Sequence, residues 1–139
     1  GLQNYTREVY GPEGVVPPAE GAELTQMRYV YCPEALGEVI RKVAQDWRGP
    51  IIVTEHGVAT DNDERRVNFI RRGLEGLCSC IDEGIDVRGY MHWSSFDNFE
   101  WQSGYSMTFG LIAVDRATQE RMPKESARVL GRIATTLEL

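Results

Sequence analysis

Apolar positions along the chain change their spacing several times, and each change marks an element. Leu36, Ile40, Val43 and Trp47 recur at three- and four-residue intervals behind Pro33. That spacing predicts a helix with the proline in its first turn, stopped by Gly49 and Pro50. Ile51, Ile52 and Val53 follow as an unbroken β-branched run, the composition of a strand buried on both faces of a parallel sheet. Asp61 with Glu64 three residues later reads as a capping box, after which Val67, Ile70, Leu74, Leu77 and Ile81 share one helical face as far as Gly84. Residues 86–93 return to an extended pattern, residues 109–114 form another apolar run, and Pro123 opens a last helix with Val129, Leu130 and Ile133 turned inward. Residues 1–27 contain Gly11, Pro12, Gly14, Pro17, Pro18 and Gly21 with little periodicity, and read as a long loop after a short extended entry.

The resulting order of helix, strand, helix, strand, loop and helix argues for α/β architecture, with parallel βαβ units and right-handed crossovers. Two or three buried strands do not make a stable parallel sheet alone. Either a partner completes the sheet, or the sequence is the end piece of a longer barrel. The chain's 139 residues, 42% hydrophobic and 26% charged, fit one domain. Its net charge of −6 argues against extended contact with a phosphate backbone, so nucleic acid is not expected as a partner. No apolar run approaches the roughly 20 residues of a membrane span, and the first ten residues show no basic region followed by an apolar one. The three cysteines, Cys32, Cys78 and Cys80, are too few for a disulfide scaffold and lack zinc-site spacing. Free thiols in a reducing, cytoplasmic compartment are therefore expected, with neither a metal nor a cofactor.

Two stretches carry candidate chemistry. The first runs from Ile51 to Gly57 and places Glu55 where a buried strand ends and a glycine permits a sharp turn. In parallel α/β architectures that end of the sheet builds sites; a glutamate there also meets solvent or an arginine without any catalytic part. The second stretch, residues 90–109, holds more than half of the aromatic side chains together with Asp97 and Glu100, and no Lys or Arg lies between Arg88 and Arg116. Ring faces take the C–H surface of a sugar while carboxylates accept from its hydroxyls, so a neutral polyhydroxylated ligand fits and a phosphorylated one does not. A dense aromatic core is the competing reading. Ser94, Ser95, Asn98, Gln102 and Ser103 in the same stretch favour a polar site.

Taken in order, Thr54-Glu55-His56-Gly57, Asp86-Val87-Arg88-Gly89-Tyr90, Trp93-Ser94, Asp97-Asn98-Phe99-Glu100-Trp101, Gly104-Tyr105, Phe109-Gly110-Leu111, Val114-Asp115 and Pro123-Lys124 resemble the C-terminal third of the family 1 glycoside hydrolases. These are retaining β-glucosidases and β-galactosidases built on a (β/α)8 TIM barrel. Gly1-Leu2-Gln3-Asn4-Tyr5-Thr6 looks like the family's segment at the end of the sixth strand. The resemblance spans essentially the whole chain. It implies the C-terminal part of the barrel, roughly the end of strand six through helix eight, with residues 1–32 the loop after strand six and residues 33–139 the last βα units.

The resemblance also implies site roles. Glu55 would be the nucleophile and Tyr5 the residue that positions it. Gln3, Trp93, Glu100, Trp101 and Phe109 would bind substrate, with Trp93 beneath the sugar ring and Glu100 and Trp101 on its hydroxyls. The Glu100-Trp101 pair implies a neutral glycoside. Three departures bear on specificity: His56 stands where the family has Asn, Gln3 and Asn4 replace the usual Asn and Tyr, and Ser95-Phe96 interrupts the Trp-Ser-Leu pattern. The family's acid/base motif, Asn-Glu-Pro, does not occur in the chain. A β-glycoside or oligosaccharide is thus the expected substrate, and the N-terminal part of the barrel, or another subunit, the expected partner. The alternative is a sugar-binding or assembly module that has lost hydrolysis.

Overall fold

The computed structural model describes residues 1–139. In chain order its elements are β1 (Leu2–Asn4), β2 (Val9–Gly11), β3 (Gly14–Val16), α1 (Ala35–Asp46), β4 (Ile51–His56), α2 (Asp63–Asp82), β5 (Val87–His92), β6 (Ile112–Val114), β7 (Arg121–Pro123) and α3 (Glu125–Thr136). β1, β4 and β5 form a parallel sheet in that spatial order. α1 and α2 are the crossovers, as the right-handed βαβ rule predicts, and α3 packs beside α2.

The core is the layer between this sheet and its helices. Leu2, Ile51 and Val53 supply the sheet side, Leu36 and Ile40 come from α1, and Ile70, Leu74, Leu77 and Cys80 come from α2. Each fully buried aliphatic side chain here stabilises the fold by about 1.5–3 kcal/mol. The two crossover helices meet at a glycine pair: a Cβ on Gly37 would lie 3.1 Å from the Gly76 carbonyl oxygen. This close approach explains two glycines in helices that would otherwise favour alanine.

Several expected features differ from what folds. The strand at 51–56 is covered on one face only: Ile51 and Val53 are buried, but Ile52 is 40% exposed and Met91 of β5 is 57% exposed, because no layer covers the side opposite the helices. Residues 1–27 contain a hairpin, β2 and β3, joined by a two-residue turn with Gly14 at φ +115°. Residues 109–114 end in β6, which pairs antiparallel with β7 rather than joining the parallel sheet. Pro123 belongs to β7, and Lys124 is the N-cap of α3.

The helix ends also shift. Pro33 precedes α1, whose N-cap is Glu34, and Trp47 lies beyond its last turn, 55% exposed, with its indole N–H donating to Pro50 O. The α2 cap is Asn62, whose Oδ1 accepts from the N–H groups of Glu64 and Arg65; Asp61 has no capping part. In the last turn of α2, Cys80 rather than Ile81 is buried, since its thiol reaches Gly37 O at the helix crossing.

Asp63, in the first turn of α2, accepts from both the backbone N–H and the hydroxyl of Ser126 at the start of α3, at 2.8 and 2.7 Å. It thus caps a second helix as well as its own. Arg66, wholly buried, donates to Asp63 at 2.5 Å and to the carbonyls of Thr60 and Thr108. Burial opposes the charged Asp63 carboxylate, yet the Ser126 and Arg66 contacts hold its pKa below the usual carboxylate range.

The sheet has two open edges and an apolar face, Ile52 and Met91, without a covering layer. Open edges and apolar patches of this kind associate. The isolated 139-residue chain is therefore expected to self-associate or aggregate in dilute solution, measured by sedimentation velocity. A monomer with a single cooperative unfolding transition would refute that expectation.

Candidate active site

β4 carries one residue more than its neighbours at its carboxyl end. Against β1, Leu2 pairs with Val53 and Gln3 with Glu55; against β5, Val53 pairs with Tyr90 and His56 with His92. Thr54 is the additional residue, and its hydroxyl donates to Leu2 O at 3.1 Å. A bulge shifts the alternation of side chains by one. Unbroken alternation would put Glu55 on the helix side with Val53. The bulge instead turns Glu55 to the opposite face and returns His56 to the helices, where it is fully buried.

Glu55 is held at both oxygens. Gln3 Nε2 donates to Oε1 at 2.8 Å and the Tyr5 hydroxyl donates to Oε2 in a short hydrogen bond. Burial, then the hydrogen bond to Glu55, raises the Tyr5 pKa, so the phenol keeps its proton and remains a donor. The Tyr5 ring meets Phe109 edge-on at 5.9 Å and 79°. Gln3, expected among the sugar-binding residues, does not line the cleft; its amide is engaged with Glu55.

Glu55 opens into a cleft of about 310 Å³ lined also by Tyr5, Met27, Tyr29, Trp93, Glu100, Trp101 and Phe109. Six of the seven expected site residues, Tyr5, Glu55, Trp93, Glu100, Trp101 and Phe109, thus share one cavity. Trp93 leaves β5 with its N–H on His56 O at 3.0 Å. A Cβ on Gly57 would lie 1.9 Å from Trp93 O, so only glycine allows the loops after β4 and β5 to run so close. Glu100 and Trp101 sit on a tight turn, closed by Glu100 N–H on Gly104 O at 2.6 Å, and the Trp101 side is open, with 81% of the residue exposed.

Not every polar residue of the aromatic stretch belongs to the cleft. Asp97 accepts from Lys124 Nζ at 2.9 Å and from Gly110 N–H at 2.7 Å, which ties the loop after β5 to the start of α3. Arg116 stacks over Tyr105 at 4.1 Å and donates to Asp97 O, so the fold brings a cation from outside the stretch onto its far side. Met27 and Tyr29 are cleft residues that periodicity gave no reason to select, because they lie in irregular backbone. Gln26 fixes them: its Oε1 accepts from the N–H and hydroxyl of Thr108 at 3.0 and 2.9 Å, beside Phe109.

An open parallel sheet with helices on one side, and a doubly hydrogen-bonded carboxylate facing an aromatic cleft at its carboxyl end, has the layout of a site on a (β/α) barrel. Comparison with known proteins is consistent with that class. The family model described as Glycosyl hydrolase family 1 matches residues 7–138, and the chain belongs to that family. It is 42% identical over 116 residues to a bifunctional β-D-glucosidase/β-D-fucosidase of Bifidobacterium breve, covering 73% of this chain and 25% of that protein. It is 38% identical over 115 residues to a β-galactosidase of Saccharolobus solfataricus, covering 83% and 24%. Among solved structures, an apo β-glucosidase superposes with a TM-score of 0.96 at 54% identity over 98% of this chain and 34% of that one. A β-glucosidase of Thermotoga maritima in complex with glucoimidazole gives 0.92 at 28% identity over 100% and 34%. The chain thus spans about a quarter of the curated relatives' length and a third of the solved chains', and its fold is an open portion related to the family's barrel. No helix is long and apolar enough to cross a membrane.

His56 and His92 face the helix side behind this cleft. Burial lowers each pKa to about 3, helped at His56 by His92 and at His92 by Arg66. Both rings are neutral when folded and charge more readily when unfolded. The unfolded chain then binds more protons between about pH 6.5 and pH 3, so stability is full above that window and falls as pH drops through it. Urea unfolding is expected to show this loss, up to about 1.4 kcal/mol per pH unit for each ring, with a shallower slope in His92→Phe. An unchanged slope would refute the assignment.

Proposed function

We propose that this chain is the C-terminal portion of a retaining β-glycosidase barrel, its β1, β4 and β5 being the sixth, seventh and eighth strands, and that it supplies the nucleophile and most of the glycone subsite for hydrolysis of terminal non-reducing β-D-glycosides. The observation that carries this reading is Glu55: a carboxylate oriented at both oxygens by neutral donors and open to a cleft walled by Trp93, Trp101 and Phe109.

In this reading a Glu55 oxygen attacks the anomeric carbon as the bond from that carbon to the leaving-group oxygen breaks. A glycosyl-enzyme ester forms, and the leaving oxygen takes a proton from an acid on the rest of the barrel, about 5–5.5 Å from Glu55. Water, deprotonated by the same group, then attacks the anomeric carbon and restores the carboxylate. Tyr5 and Gln3 hold Glu55 in line. Trp93 lies under the ring, Phe109 closes a wall, and Glu100 with the Trp101 N–H engages the sugar hydroxyls, a source of transition-state binding energy remote from the reacting bond. The absence of a cation on the cleft lining favours a neutral sugar over a phosphorylated one. The acid/base is assigned to the N-terminal part of the barrel, the partner that also covers Ile52 and Met91.

With the complete barrel, a 2-deoxy-2-fluoro β-glycoside bearing a good leaving group is expected to accumulate as an ester on Glu55, located by peptide mapping. Glu55→Gln should lower kcat by about 10⁴-fold or more while the fold persists. Tyr5→Phe should slow turnover without preventing the adduct. An adduct on another carboxylate, or sugar binding with no turnover by the complete barrel, would overturn the reading; the second outcome is that of a binding module.

A further inference from the structure

Directly behind Glu55 lies a buried row of side chains that the proposed chemistry does not touch. The His56 ring stacks on Phe69 of α2, with centroids 4.5 Å apart and planes at 17°. It fills a notch above Gly73, where a Cβ would come within 2.4 Å of its Cε1. His56 Nδ1 is 2.9 Å from the Tyr90 hydroxyl, and that hydroxyl is 3.5 Å from His92 Nδ1. His56 Nε2 meets no protein partner, so the bond to Tyr90 is the ring's one directional restraint.

Tyr90 is on the adjacent strand, opposite Val53, where the second of two register shifts between β4 and β5 begins. The Thr54 bulge has an obvious competitor, the unbulged register, which adds one ordinary ladder position and turns Glu55 toward Phe69 and Gly73. The short β1 strand resists this through the Thr54 hydroxyl on Leu2 O and the Gln3 amide on Glu55. The His56 ring resists it from the helix side: it occupies the notch that a reversed Glu55 would need, and it is tied across to β5. A carboxylate in that notch would be buried against Phe69 with Tyr90 as its only hydroxyl partner, which is strongly unfavourable.

We propose that His56, seated on Phe69 and tethered to Tyr90, is a positioning residue that locks the bulge in β4 and thereby aims the Glu55 carboxylate into the cleft. This rests on the reading of Glu55 as nucleophile. The resembled family pattern has Asn at this position, and an Asn side chain is too short to fill a ring-sized notch over Gly73. Histidine with Phe69 and Gly73 is then one packing unit, and its effect on the reaction acts through backbone register and not through contact with the sugar.

The test uses the complete barrel with His56→Leu, Tyr90→Phe and the two combined. Active sites are counted by the burst of leaving group released by the 2-fluoro glycoside, so that misfolded molecules do not enter the rate. For each single variant the rate of trapping and kcat per counted site should fall about ten- to a hundredfold, the scale of a small misplacement of a reacting group. KM for a neutral β-glycoside should move less than about threefold. The combined variant should be no slower than the worse single one, because both changes release the same restraint. His56→Asn, which restores an amide facing Tyr90, should recover part of the loss. Tyr90→Phe removes only a hydroxyl and keeps the test open if His56→Leu does not fold. Rates per counted site within twofold of the parent in Tyr90→Phe, or a rise in KM with kcat unchanged, would overturn this inference alone. A trapped adduct away from Glu55 in the parent would overturn the nucleophile reading and this inference with it.

Discussion

One extra residue in a strand organises the cleft. Thr54 adds a position to β4 that neither β1 nor β5 matches, and the shift separates two jobs that alternation would otherwise give to the same face. Before it, Ile51 and Val53 face the helices and build the core; after it, Glu55 faces the cleft and His56 returns to the helices. A carboxylate at that position without the bulge would be buried among Phe69, Tyr90 and Gly73, with no cation to offset it.

The rest of the structure supports that strand end from outside. Loops after β4 and β5 cross at Gly57 and Trp93 with no room for a side chain between them. Behind them Arg66 gathers Asp63, Thr60 O and Thr108 O, joining the start of α2, the loop after β4 and the segment that carries Phe109. Asp63 passes the same restraint to α3 through Ser126. A buried arginine is costly to leave unpaired, and three acceptors on its two terminal nitrogens fix this one although its Nε meets no partner. Walls that belong to irregular backbone therefore keep a defined geometry, which the proposed binding of an oriented sugar would require.

The sequence made the helices, the parallel strands and the aromatic cleft legible because each rests on local signals: three- and four-residue spacing in α1 and α2, a β-branched run in β4, and a dense cluster of rings after β5. Tyr5, Glu55, Trp93, Glu100, Trp101 and Phe109, to which the family resemblance gives site roles, reach one cavity from segments far apart in sequence. What was illegible depends on contacts between segments. Periodicity selected Ile81 and not Cys80 because both spacings are helical and only the crossing at Gly37 chooses between them. Arg66 carries no sequence signal of its burial, because its acceptors, Asp63 of α2 and the carbonyls of Thr60 and Thr108, meet only in the fold. Asp97 reads as a cleft carboxylate, and only the arrival of Lys124 and Gly110 shows it to be a tie between loops. His56 reads as a change next to the carboxylate, whereas the bulge puts its ring on the other face of the sheet.

In the proposed reaction, the choice of partners for Glu55 follows from what a nucleophilic carboxylate has to do. A lysine or arginine in ion pair with it would orient the group equally well, but would also hold its electrons and oppose the positive charge that develops on the sugar as the glycosidic bond loosens. Gln3 and Tyr5 are neutral donors. Each fixes one oxygen in direction while leaving the net negative charge of the carboxylate in the cleft, and the raised Tyr5 pKa ensures that the phenol does not ionise beside it. Three cations that hold the segments bearing the cleft are spent elsewhere: Arg66 on Asp63 and two carbonyls, Lys124 on Asp97, Arg116 on Tyr105 and the Asp97 carbonyl. The segregation is physical: among this chain's residues, positive charge on the loops' far side holds shape, and the cleft keeps two carboxylates without an ion pair, Glu55, where in the proposed reaction an electron-poor carbon would arrive, and Glu100 on the turn after β5.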